Sequence, residues 1–301
     1  MTIHSIRTLL VALVLAGSAF AQIDSPNFKF VAINVSGAAN TVASGINNGG
    51  VIVGFFQVGT NCIPDTVTPT CHTHGFKLAN RRITRLDIPG ALNTFIFGLN
   101  DFGDTAGIFQ DSAGKFHGFL RHHTGQVQRI DPTGTLSGAA SAVNNSLTVV
   151  GGNFSWHNGK FTKVDFTTPG NGESQNLSGI SNPGVIVGTL FHQDFFNGIL
   201  KAGSDFDLFP RINGSDTHVL GVNGRGDVVG FATAIPGQGF YSPHVERGEG
   251  TSDKPERPLN PIPVSFPGAS QTAPNAINFN QAIVGSYQDK NFKTHGFLAV
   301  H

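Results

Sequence analysis

One short pattern recurs six times along this chain and limits what it can fold into. It runs apolar residue, Asn, a few turn formers, then a β-branched run ending in Gly. The first copy is Ile46-Asn47-Asn48-Gly49-Gly50-Val51-Ile52-Val53-Gly54. The others are Leu99-Asn100 to Gly107, Val143-Asn144 to Gly151, Ile180-Ser181 to Gly188, Val222-Asn223 to Gly230 and Ile277-Asn278 to Gly285. In every copy the Asn position (Ser181 in the fourth) stands seven residues before the Gly. Asn, Gly and Asp tolerate left-handed backbone, so each copy predicts strand, tight turn, strand. The second strands are nearly all β-branched, as in Val185-Ile186-Val187 and Ile283-Val284, which predicts burial on both faces. The small residue that closes each run predicts close approach of a neighbouring sheet.

The Asn positions run 47→100→144→181→223→278, in steps of 53, 44, 37, 42 and 55 residues. A constant core with variable loops at this period points to propeller blades of four strands each. Each unit reads as strand A ending at the Asn, strand B ending near the Gly, strand C, strand D, then a turn. Pro89-Gly90-Ala91 and Pro267-Gly268-Ala269 are two such turns. Strand C carries His74-Gly75-Phe76, His117-Gly118-Phe119, Asn197-Gly198-Ile199 and His295-Gly296-Phe297, while the third unit keeps only Asn153 to His157. The first unit is preceded by a D-like strand, Phe28-Lys29-Phe30-Val31-Ala32-Ile33, and the last unit stops after strand C. A ring in which that N-terminal strand completes the sixth blade removes the open edges. The expectation is an all-β, six-bladed β-propeller of four-stranded blades over residues 22–301, a single domain with strand A lining its axis.

Residues 1–21 carry His4 and Arg7, an apolar run from Leu9 to Leu15, and Ala19-Phe20-Ala21. This is the form of a secretory signal peptide cut after Ala21, and the apolar run is short for a membrane span. The mature chain is therefore expected to be secreted or periplasmic, with no membrane span. A formal net charge of zero leaves no electrostatic footprint for nucleic acid. No cofactor motif is present, and monomer is the default oligomeric expectation.

The Ile-Asn-x-x-Gly turns, the Val-Gly endings, the His-Gly-Phe triplets at His74, His117 and His295, and the Pro-Gly turns resemble the HAF-repeat family of bacterial exported proteins. The likeness spans nearly all of the mature chain, with Gly in place of the Ala of the family's His-Ala-Phe signature. It implies an extracytoplasmic repeat protein and supplies no catalytic residues.

Two stretches interrupt the repeat. Residues 57–72 contain Cys62 and Cys71, the only cysteines, and in an exported chain such a pair predicts a disulfide. Residues 242–263 are rich in Pro and charge and read as a solvated loop. With A innermost, B–C and D–A connections share one face of the ring, and C–D connections lie on the other. The face near Cys62, Cys71, His72, Pro89, Gly90, Pro267 and Gly268 is the candidate contact surface, since variable loops on a rigid scaffold usually carry binding.

Other chemistry-bearing residues read as structural. His72 and His74 share a strand side and could be half of a metal site. Yet His74, His117 and His295 occupy one repeat slot on separate blades, so no metal set is expected. His122-His123 reads as an exposed pair with no further role. Arg225-Gly226-Asp227 occupies an A–B turn, which explains it without adhesion. Asp87, Asp131 and Asp165 recur at the ends of D strands and read as turn caps. No G-x-S-x-G, H-E-x-x-H, Walker or EF-hand pattern occurs. The functional expectation is an exported, non-catalytic binding or scaffolding module for a glycan or another exported protein. The alternative is a propeller-type polysaccharide-cleaving enzyme, glycosidase or lyase, with acids on the central funnel.

Overall fold

Each repeat forms one four-stranded antiparallel sheet, and six such sheets build a six-bladed β-propeller with no helix among the described residues. The computed structural model describes residues 28–63, 66–134, 136, 138–166, 173–192, 194–203, 205–209, 211–233, 239–243 and 261–301. The signal peptide expected over 1–21, and most of the charged loop expected over 242–263, lie outside these residues.

The chain enters through β1 (Lys29–Ile33). Blade one is β2 (Asn40–Ile46), β3 (Ile52–Gly59), β4 (Cys71–Ala79) and β5 (Arg82–Arg85). Blade two is β6 (Asn93–Leu99), β7 (Thr105–Gln110), β8 (Phe116–Arg121) and β9 (Val127–Ile130). Blade three is β10 (Ala142–Val143), β11 (Val149–Gly151), β12 (Phe154–His157) and β13 (Lys160–Lys163). Blade four is β14 (Ser174–Ile180), β15 (Ile186–His192), β16 (Phe195–Ala202) and β17 (Asp205–Phe209). Blade five is β18 (Thr217–Val222), β19 (Val228–Ala232), β20 (Gly239–Ser242) and the two-residue β21 (Ile262–Pro263). Blade six is β22 (Gln271–Ile277), β23 (Ile283–Gln288) and β24 (Thr294–Val300), with β1 as its outer strand, paired antiparallel to β24 from Lys29↔Val300 to Ile33↔Gly296.

The β-branched runs of strand B are buried on both faces, as expected: Val53, Val149, Val150, Val187, Val228, Val229, Ile283 and Val284 are sealed from solvent. The Gly that ends each run has a different cause from the one its sequence suggests. It is crowded by its own blade. A Cβ on Gly54 would lie 2.0 Å from the Val42 carbonyl oxygen, and one on Gly107 would lie 2.0 Å from that of Phe95. The same clash, at 1.5–2.3 Å, recurs at Gly151, Gly188, Gly230 and Gly285. In five blades strand A carries a β-bulge at this level, for example between Ala43 and Gly45 and between Ile96 and Gly98. Across from this Gly, strand C places Phe76, Phe119, Phe154, Ile199, Phe240 or Phe297.

The second glycine, on strand C, is crowded by its own blade, where a Cβ on Gly75 would lie 2.3 Å from the Leu86 carbonyl oxygen and one on Gly118 2.3 Å from that of Ile130, and in some blades also by the next blade. A Cβ on Gly75 would meet Ile96 Cδ1 of the next blade at 2.6 Å, and one on Gly198 would meet Val219 Cγ2 at 2.5 Å. Small residues also line the axis: a Cβ on Gly98 would come within 3.0 Å of Ala142 Cα, and one on Gly221 within 2.9 Å of Ala276 Cα. The Pro-Gly turns are type II in form, with Gly90 at φ 77° and Gly268 at φ 76°. A repeat threonine closes each of them: Thr94 Oγ1 accepts the Ile88 N–H, and Thr272 Oγ1 accepts the Phe266 N–H.

Candidate functional site

The six A–B turns converge on one end of the axis. Each turn has a residue in left-handed backbone at its fourth position, supplied by Gly50, Gly103, Gly184 and Gly226, and by Leu147 (φ 59°) and Gln281 (φ 63°). The repeat Asn serves two partners at once. Its Oδ1 accepts the N–H four residues on, as in Val51→Asn47 (2.9 Å) and Ala282→Asn278 (2.9 Å). Its Nδ2 donates to the backbone carbonyl of the equivalent residue in the next blade: Asn47→Asn100, Asn100→Asn144, Asn144→Ser181, Asn223→Asn278 and Asn278→Asn47. An amide puts its acceptor and its donor on two separate atoms of one short side chain, so it reaches both partners at once. Ser181 accepts the Val185 N–H through Oγ, but its side chain makes no link onward to blade five.

A second ring lies just outside, built from the next residue of each turn: Asn48, Asp101, Asn145, Asn182, Gly224 and Phe279. Here a backbone N–H donates to the side-chain oxygen of the following blade, at 2.9 Å for Asn48→Asp101, 2.9 Å for Asp101→Asn145, 3.0 Å for Asn145→Asn182 and 2.8 Å for Phe279→Asn48. Asp101 Oδ2 also accepts the side-chain amides of Asn48, Asn145 and Asn182, each at 2.9 Å, so one carboxylate ties three other blades together. Burial works to raise the Asp101 pKa, but these hydrogen bonds win and hold it below the ordinary carboxylate value. Below the ring are two small cavities, one of ≈ 60 Å³ at the mouth and one of ≈ 70 Å³ within the channel. Both are far smaller than the ~300–1,000 Å³ of ordinary small-molecule sites.

Next to the mouth, Phe102 is 62% and Phe279 46% exposed, and the Arg225 guanidinium lies 4.4 Å over the Phe279 ring. Asp227 of the Arg-Gly-Asp sequence is buried and accepts the Asn223 amide at 2.7 Å, consistent with a turn role. His122 and His123 have a partner that the sequence does not reveal. Both lean on buried Asp104, at 3.5 and 3.1 Å, and its carboxyl is held below the ordinary value. Burial opposes that shift, and hydrogen bonds from the His123 backbone and side chain and from Asn100 outweigh it.

The contact surface expected from sequence lies on the opposite face. Cys62 and Cys71 are bonded, with Cα atoms 5.3 Å apart. Their loop is held from inside: Gln57 Nε2 donates to the carbonyls of Ile63 and Thr66, and Asn40 Nδ2 to that of Cys62. Cys71 is buried and His72 exposed. Pro89, Gly90, Pro267 and Gly268 are exposed at two turns separated by blades six and one.

The histidine slot is structural, and Asp87 and Asp131 bond that slot and a neighbouring arginine rather than cap a turn. His117 bridges Asp111 in the B–C turn and Asp131 after β9, at 3.0 Å each. His295 bridges Asp289 and Asn34 in the same way. These bonds hold the Asp111 and Asp289 carboxyls below their ordinary value. His74 pairs with Asp87, while the disulfide loop stands where blades two and six have the turn aspartate. Arg85, Arg129 and Lys163 pair with the aspartate two residues on.

Among the described residues no group of three or more His, Cys, Asp or Glu could hold a metal ion, and no helix is long and apolar enough to cross a membrane. The axial ring was missed in the sequence because its members are one column of the repeat, the residue after the Asn, and that column is variable. No protein-family model matches this chain, and no curated protein matches it.

Proposed function

We propose that the chain is an exported, non-catalytic propeller that binds a glycan or another exported protein outside the cytoplasm. The observation that supports the non-catalytic part of this reading is the axial mouth. Its carboxylate, Asp101, is occupied by four hydrogen bonds from Asn48, Asn145 and Asn182, and the cavity beneath is ≈ 60 Å³. A glycosidase of the usual two-carboxylate kind on the funnel needs those groups roughly 5–9.5 Å apart, and Asp101 is the one carboxylate among the residues lining this mouth. The rest of the molecule suits a scaffold: a closed ring, a cross-linked loop and exposed side chains on both faces. The disulfide, the apolar N-terminal run and the likeness to HAF-repeat proteins support export.

The test is a thermal-shift screen against soluble polysaccharides, followed by product analysis of any hit. A ligand at 100 times its Kd stabilises by ~2.7 kcal/mol, enough to move the melting temperature by several degrees. A shift with intact polysaccharide supports the reading. Shortened products would replace it with the cleaving alternative.

A further inference from the structure

The outer ring at the mouth is incomplete, and the gap has a chemical shape. In four steps the acceptor for a backbone N–H is a planar side-chain oxygen, at 2.8–3.0 Å. The steps from Asn182 to Gly224 and from Gly224 to Phe279 lack it, because Gly and Phe carry no side-chain acceptor. The missing oxygen is not excluded by space. The nearest atoms a Cβ on Gly224 would meet belong to Phe279 and Pro183, at 3.5 Å or more, and Gly224 does not lie in left-handed backbone. The opening is flanked by the half-exposed Phe279 ring, backed by Arg225, and by the amides around Asp101.

We infer that this gap is a subsite for the acetamido group of an N-acetylated sugar. The inference rests on the glycan-binding reading above. The acetamido carbonyl is a planar oxygen of the kind used at the other four steps, and it would accept the Asn182 N–H. The group has four heavy atoms, and the ≈ 60 Å³ mouth cavity has room for roughly four waters at ~10–15 Å³ each. The apolar face of the sugar ring would lie on Phe279. A carboxylate-bearing sugar is disfavoured, because Asp101 stays ionised across the mouth.

The test is calorimetric titration of the purified protein with a β-linked N-acetylglucosamine oligomer, with the matching glucose oligomer as control. Two variants accompany it. Gly224→Asn supplies the missing oxygen from within, and Phe279→Ala removes the platform while keeping its backbone N–H on Asn48. The expected result is binding of the acetylated oligomer only, weakened about tenfold or more in both variants (~1.4 kcal/mol). Gly224→Asn should melt at or above the parent temperature, which shows that its loss of binding is not unfolding. Equal binding by parent and Gly224→Asn overturns the subsite. Binding of the glucose oligomer alone overturns the ligand class and leaves the glycan reading standing. Silence towards both oligomers overturns the inference, and the wider polysaccharide screen then decides the reading beneath it.

Discussion

Single side chains at the mouth do work that their neighbours in the repeat make visible. Five Asn residues cap their own turn and reach the next blade; Ser181 caps without reaching. Ser181→Asn should therefore add one link between blades four and five and raise stability by about 0.5–1.5 kcal/mol, read as a higher urea midpoint at unchanged slope. A lower midpoint would show that the slot is serine for lack of room. A second residue controls the acid response. His218 is buried between the Phe196 and Phe231 rings, and burial pushes its pKa down to about 4 from 6.5, against the smaller opposing pull of Asp216. The unfolded chain then binds a proton that the native one refuses. Stability is whole above pH 6.5 and falls as the pH drops to about 4, by roughly 3 kcal/mol. His218→Phe keeps the ring stack and should make urea-derived stability fall less steeply across that window, the remaining slope coming from His74, whose pKa burial also lowers. Asp101, Asp104, Asp111 and Asp289 act later. Their folded pKa values lie below the ordinary 3.8, so their contribution is full above it and is lost on further acidification.

At the scale of the strand and turn, two kinds of glycine carry the repeat, and one substitution separates them. Gly107 faces the Phe95 carbonyl, where a Cβ would sit at 2.0 Å, against backbone that cannot yield. Gly90 has nothing within 4 Å of a built Cβ but lies at φ 77°. Gly107→Ala should cost about 3 kcal/mol or more through overpacking, while Gly90→Ala should cost about 1–2 kcal/mol through left-handed strain alone. Equal losses in chemical denaturation would refute the distinction. Both glycines stand out in the sequence, because the repeat aligns them, but their causes do not. The clash at Gly107 comes from the Phe95 carbonyl of the neighbouring strand, a cross-strand contact that sequence spacing alone does not show. The candidate site follows the same logic. Its inner ring is the column that defines the repeat, whereas Asp101 acts through partners 44, 53 and 81 residues away, which no local pattern connects.

For the whole ring, closure depends on a strand taken from the other end of the chain. The sixth blade was legible because the units count out unevenly, with a spare D-like strand at the start and none at the end. The structure adds what holds it. Phe30 of β1 packs against Phe266 and Phe297 at 5.4 and 5.8 Å, Phe28 lies edge-on to Tyr241 at 6.1 Å, and Asn34 accepts from His295 at 2.7 Å. Asn278 and Asn275 tie blade six to blade one through the Asn47 and Ala43 carbonyls. These last bonds do not involve β1, so removing residues 28–34 should leave the ring joined at its axis but frayed at its rim. The expected outcome is a lower melting temperature together with self-association in size-exclusion chromatography, since β24 would become a bare edge able to pair with another copy. A synthetic peptide of residues 28–34, added in excess, should restore both the melting temperature and the elution volume of the parent. A deletion that melts and elutes like the parent would mean that the axial hydrogen bonds alone hold the ring shut.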